Sequence, residues 1–121
     1  MPMLTIYGIP NCDTVKRARA WLTARGLPHQ FHDFKKQGVP DAALRGWVQA
    51  LGWQPLLNRQ GTTWRKLTPE AQTGVTDADG AVALLQAHSS LIKRPVVAWG
   101  HGAVTVGFDE VQWAALTAEL R

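Results

Sequence analysis

The apolar residues that open the chain break off abruptly: Leu4-Thr5-Ile6-Tyr7 is a short, β-branched run, and Gly8-Ile9-Pro10-Asn11 cannot continue a regular element. A buried first strand ending in a tight loop is predicted. From Asp13 to Arg25 the spacing turns helical, with Val15, Ala18, Trp21 and Leu22 on one broad face and a stop at Gly26 and Pro28. His29 to Phe34 then alternates around Phe31 and reads as a second strand, broken by Lys35-Lys36-Gln37-Gly38. Strand, helix and strand in succession imply a parallel, right-handed pair.

The middle of the chain is helical. Pro40-Asp41 opens a helix through Leu51, with Leu44, Trp47, Val48 and Leu51 at i, i+3, i+4 and i+7, and Gly52 ends it. Asn58 to Thr63 reads as a turn, and Thr76-Asp77-Ala78-Asp79 caps a further helix that runs through Leu84 and Leu85 towards His88. Pro95 to Trp99 and Ala103 to Val106 are strand-like runs separated by Gly100-His101-Gly102, a hairpin pattern. A last helix from Asp109 carries Trp113, Leu116 and Leu120 on one side. The order is β, α, β, a helical block, β, β, α, with no repeat and no linker.

A chain of 121 residues, 45% of them hydrophobic, is the size of one domain with one core. No apolar run approaches the roughly 20 residues that a membrane-spanning helix needs. Met1 to Tyr7 has no basic flank, and Gly8 and Pro10 interrupt the stretch before a signal-peptide core can form, so a cytoplasmic protein is expected. Thirteen Lys and Arg against nine Asp and Glu give a net charge of +4, spread over short clusters such as Lys16-Arg17-x-Arg19 and Lys93-Arg94. That favours anionic ligands without making a DNA-binding tract.

Chemistry concentrates at the one cysteine, Cys12, which excludes an intramolecular disulfide and any zinc site with more than one thiolate. It stands where the first loop becomes the first helix, so the unpaired amides of that helix and its positive end favour a thiolate. Asp13 beside it acts in the opposite sense. His29 and His32 point to opposite faces of a strand, and His88 and His101 stand alone, so no metal is assigned. Trp21, Trp47 and Trp113 fit apolar helical faces and are expected in the core. Trp64, beside Arg65-Lys66, is a candidate to line a ligand cleft.

Leu4-Thr5-Ile6-Tyr7-Gly8-Ile9-Pro10-Asn11-Cys12-Asp13-Thr14-Val15-Lys16-Arg17-Ala18 resembles the active-site segment of the arsenate reductase (ArsC) family, and Leu91-Ile92-Lys93-Arg94-Pro95-Val96-Val97 resembles that family's second motif. The resemblance implies an α/β fold with a thioredoxin-like core and a mixed sheet. Residues 1–35 and 91–121 would form that core and 36–90 mainly an inserted helical block. It implies Cys12 as the nucleophile, Arg94 at the anionic site, and Pro95 in a cis bond. Asn11, Lys16, Arg17 and Pro95 become candidate ligand-binding residues. It also implies glutathione as co-substrate, glutaredoxin as a partner, and no tightly bound cofactor.

Two positions depart from the arsenate reductases of that family. Asn58 stands where a second anion-binding arginine is expected, with Arg59 one place away, and Gly107 where a third is expected. Each missing guanidinium removes charge-assisted bonds of about 1.5 to 3 kcal/mol. Leu57-Asn58-Arg59-Gln60-Gly61-Thr62-Thr63-Trp64-Arg65-Lys66-Leu67 looks like the YffB branch instead, for which a glutathione-dependent thiol reductase activity has been proposed. A single-cysteine thiol–disulfide oxidoreductase is therefore the favoured expectation. Arsenate reduction is one alternative, and a Spx-like regulator that binds the RNA polymerase α subunit is another. In the second case Val15 occupies the place of the Cys-x-x-Cys partner, which rules out a disulfide switch.

Overall fold

The computed structural model describes residues 3–118, so Leu120 and the first two residues of the signal-peptide argument lie outside the described residues. The elements in chain order are β1 (Leu4–Gly8), α1 (Asp13–Ala24), β2 (His29–Asp33), α2 (Phe34–Gln37), α3 (Asp41–Leu51), α4 (Thr62–Lys66), α5 (Pro69–Thr73), α6 (Ala78–Ala87), β3 (Val96–Ala98), β4 (Val104–Val106) and α7 (Glu110–Ala118). Single 3-10 turns at Gln54–Leu56 and Ser89–Leu91 complete the set. Two compact units result: the described residues up to Gln37 with those from Arg94 onward, and Gly38–Lys93.

In the first unit the strands form a mixed sheet in the order β2-β1-β3-β4. β1 runs parallel to β2 from Leu4 opposite His29 to Gly8 opposite Asp33, as a strand-helix-strand connection requires. β3 pairs antiparallel with β1, Tyr7 opposite Val96, and β4 closes a hairpin on β3. This is the thioredoxin-like order expected of the sequence, β-α-β followed by β-β-α.

The alternation along β1 buries Leu4 and Ile6, and the helical spacing of α1 buries Val15, Ala18 and Leu22; Leu4, Ile6, Ala18 and Leu22 share a core with Leu27, Val97, Trp99 and Trp113. Trp113 meets Trp99 edge to face at 5.0 Å, Phe108 at 4.8 Å and Trp21 at 5.7 Å. Trp21, expected inside, is only half-buried at the margin of this group. Trp99 is fully buried and donates its indole Nε1–H to Thr105 Oγ1 at 2.9 Å.

Gly8 shows why the first loop begins where it does. A Cβ there would lie 2.8 Å from Cγ2 of Val15, so the glycine lets α1 close onto β1. Gly8→Ala is expected to destabilise the protein by about 1–3 kcal/mol through overpacking. Chemical denaturation measures this, and adding Val15→Ala should recover part of the loss because the clash is between those two side chains.

The second unit is helical. α3 buries Leu44, Trp47 and Val48, and α6 buries Ala81, Val82 and Leu85. Asp77 caps α6 as its sequence foretold, its Oδ1 accepting from Gly80 N–H at 2.8 Å. Two segments within the unit pair with one another: Asn58 N–H donates to Leu91 O and Lys93 N–H to Leu56 O, both at 2.8 Å, and Leu57 bridges Ile92. Asn58 accepts from Gln60 N–H through its own side chain at 3.0 Å, a turn-forming role.

Three readings of the sequence are corrected. The second strand ends at Asp33, because Asp33 Oδ1 accepts from Lys35 N–H and turns Phe34–Gln37 into a helical turn, not a breaker. The turn expected from Asn58 to Thr63 stops at Gly61, and Thr62 and Thr63 already belong to α4. The last helix begins at Glu110, with Asp109 outside it and its Oδ1 accepting from Val111 and Gln112 N–H. No helix among the described residues is long and apolar enough to cross a membrane.

Candidate functional site

β1 delivers the chain to the loop Ile9–Asn11, and α1 begins immediately beyond it, which fixes Cys12 as the N-cap residue of that helix. Its backbone is extended, at φ −96° and ψ 124°, as an N-cap requires, and its carbonyl accepts the first helical bond from Lys16 N–H at 2.9 Å. The side chain is half-buried and its thiol is free.

The second half of the site arrives through β3. Pairing of Tyr7 with Val96 puts the start of β3 beside the end of β1, and the two residues before Val96 are Arg94 and Pro95. The Arg94–Pro95 peptide bond is cis, as the family resemblance implied, and Pro95 is buried. Pro95 O accepts from Gly107 N–H at 2.9 Å, which ties this segment to the residue after β4. The Arg94 side chain hydrogen-bonds to Cys12, a contact that sequence spacing alone could not foresee.

These neighbours decide the state of the thiol. Partial burial pushes its pKa up, but the Val15 amide, the Arg94 hydrogen bond, the Thr14 amide and the Arg94 charge together hold it below its ordinary value. Thr14 and Val15 occupy the second and third helical positions, whose N–H groups have no partner within the helix. The sulfur closes no full cap hydrogen bond with either, so their effect is to favour the negative form electrostatically. The arrangement gives a partly exposed thiol whose ionisation the Arg94 guanidinium and the helix amides favour, the property that attack on an electrophilic sulfur requires.

Asn11 is exposed in the loop, and Lys16 and Arg17 are exposed on α1. The groups that lower the Cys12 pKa are the two amides and Arg94, and neither Lys16 nor Arg17 is among them. Val15 is fully buried against Gly8, so the position three residues after Cys12 serves packing. The role of Gly8 was not read from the sequence, although a glycine in a strand just ahead of the reactive loop was the available signal. Gly107 has φ +85°, a left-handed conformation in which an arginine would be strained. Among the described residues no group of three His, Cys, Asp or Glu side chains could hold a metal ion.

Residues 7–116 match the profile of the ArsC family. Among solved structures, a YFFB protein superposes with a TM-score of 0.88 at 41% identity, covering 94% of this chain and 98% of its own. An arsenate reductase related protein of Brucella melitensis does so with a TM-score of 0.72 at 43% identity, covering 93% of this chain and 92% of its own. An uncharacterized protein of Haemophilus influenzae is 36% identical over 116 residues, 96% of this chain and all of its own length. More distantly, the global transcriptional regulator Spx of Streptococcus pyogenes is 22% identical over 110 residues, 89% of this chain and 80% of its own.

Proposed function

The chain belongs to the ArsC family, and from that premise we propose that it is a glutathione-dependent thiol–disulfide oxidoreductase of the YffB branch, working in the cytoplasm with Cys12 as its one nucleophile. The observation that carries this reading is the free Cys12 thiol at the N-terminus of α1, hydrogen-bonded to Arg94 and held below its ordinary pKa.

The Cys12 thiolate attacks one sulfur of a glutathione mixed disulfide, R–S–S–G. A sulfur–sulfur bond forms between Cys12 and the glutathionyl sulfur, the original RS–SG disulfide bond breaks, and RS⁻ leaves with the electron pair and takes a proton from solvent. Glutathione, as thiolate, then attacks the adduct and leaves as GSSG, returning Cys12 to its thiolate. With one cysteine in the chain, the second step needs an outside thiol. Free glutathione or glutaredoxin fills that place. Arg94 stabilises the thiolate at the start and end of the cycle.

Mass spectrometry after incubation with oxidised glutathione tests the first step. A single added glutathionyl group on Cys12 is expected, and an unmodified protein at neutral pH would leave an inert relative. The same experiment separates this reading from transcriptional regulation through RNA polymerase, which the likeness to Spx favours and which requires no adduct at Cys12.

Arsenate reduction is the less favoured chemistry. Asn58 is engaged in its own turn, and the Gly107 backbone disfavours the arginine that the resemblance would place there. Arsenate with glutathione and glutaredoxin present is therefore expected to give little or no arsenite, since two charge-assisted contacts of about 1.5 to 3 kcal/mol each are missing. Arsenite production measures this directly, and robust turnover would make the oxyanion the substrate.

A further inference from the structure

The Gly38–Lys93 unit contains a cavity of about 200 Å³ lined by Gln54, Leu57, Arg59, Gln60 and Lys93. Two cations and two carboxamides face this space, and no carboxylate does. Elsewhere in the unit, Asp41 and Asp79 pair with Arg45, and Asp77 caps α6. Neither Arg59 nor Lys93 is neutralised by an acidic side chain among the described residues. Both side chains are exposed to solvent, and an anion placed in the concavity they share would be attracted by both charges.

The cations are held in place by the backbone pairing already described. Lys93 N–H donates to Leu56 O and Asn58 N–H to Leu91 O, which locks the segment bearing Lys93 to the segment that leads into Arg59. The Asn58 side chain fixes the turn by accepting from Gln60 N–H. The Arg59 guanidinium lies 5.8 Å from the centre of the Trp64 ring, which supports it from one side.

We infer that this cavity is a binding site for a small oxyanion group, a carboxylate or a phosphate. Arg59 supplies a planar fork matched to two oxygens, Lys93 a point charge, and Gln54 and Gln60 amide donors for the remaining lone pairs. About 200 Å³ corresponds to roughly seven waters at about 30 Å³ each, room for the acidic end of a ligand and not for a nucleoside. None of the lining residues is among the groups that lower the Cys12 pKa.

The test is a titration of the isotope-labelled full chain with inorganic phosphate and, separately, with acetate, using chloride at matched ionic strength as control. Saturable movement of the Arg59 Nε–H and the Gln54 and Gln60 carboxamide signals with either oxyanion is expected, and the stronger binder identifies the preferred group. Arg59→Gln and Lys93→Gln should each weaken binding about tenfold, equivalent to about 1.4 kcal/mol, with circular dichroism unchanged. Cys12→Ser should bind as well as the parent. Responses that do not saturate, that chloride reproduces, or that survive both charge-removing variants would overturn the assignment.

Discussion

Cys12→Ser is expected to abolish the glutathione adduct and all disulfide reductase activity while folding as well as the parent, or slightly better. The catalytic loss is complete because a serine hydroxyl is not ionised at neutral pH and cannot form a disulfide. The stability argument runs the other way. Cys12 is an N-cap without a side-chain cap hydrogen bond, whereas serine is among the preferred N-caps and its oxygen accepts from the second or third helical amide. A gain of about 0.5–1 kcal/mol is reasonable on that basis. Denaturant midpoints and adduct mass separate the two effects. Retained reductase activity in this variant would sink the mechanism.

Arg94→Ala is expected to raise the pKa of Cys12 and to slow its reaction near neutral pH. Burial already works against ionisation of this thiol, and the substitution removes both a hydrogen bond and the positive charge that offset it, leaving the Val15 and Thr14 amides. The side chains are open enough to solvent that screening weakens the charge effect. Loss of one charge-assisted contact should then cost about tenfold in turnover. Alkylation of Cys12 followed against pH reads the midpoint directly. In the parent the rate rises through a midpoint below the ordinary thiol value; in the variant that midpoint moves up.

The difference between the two proteins should therefore be largest at low pH and close as pH rises past both midpoints. At high pH the variant's less stabilised thiolate is also the intrinsically stronger nucleophile. An unchanged midpoint would leave the helix terminus alone to activate the thiol and would remove Arg94 from the mechanism.

The long, periodic elements were legible in the sequence: β1, α1, α3, α6 and the β3–β4 hairpin each carry a repeat of apolar positions bounded by Pro, Gly or a capping Asp. What escaped was short. α4 and α5 have five residues each, fewer than two turns, so no face repeats; α5 owes its start to Thr68, whose side chain accepts from Ala71 N–H. α2 depends on the Asp33 side chain folding over Lys35, a local contact that competes with strand continuation. The burial of Trp99 has no local signature, because it depends on α7, which packs Trp113 against it.

At the site, the setting of Cys12 could be read because a strand, a Pro-containing loop and a helix follow one another in the chain. Its electrostatic partner could not. Arg94 meets the thiol through the pairing of β3 with β1, a tertiary contact with no local signature, and only the family resemblance pointed to it. Lys16 and Arg17 illustrate the opposite case: proximity in sequence suggested a shared site, yet both side chains are exposed and the helix that carries them delivers its amides to the sulfur instead.

The antiparallel ladder between β1 and β3 has a consequence for how such a molecule can change over evolutionary time. With Tyr7 fixed opposite Val96, the spacing between nucleophile and guanidinium is set by the few residues from Gly8 to Cys12 and from Arg94 to Val96. Insertions or deletions elsewhere between β2 and Arg94 do not enter that spacing, so the helical segment is free to diverge in length and surface. A single-residue insertion in either short arm would instead shift one partner relative to the other and disarm the thiol. The two arms are hence the places where descendants of this chain should tolerate no change in length.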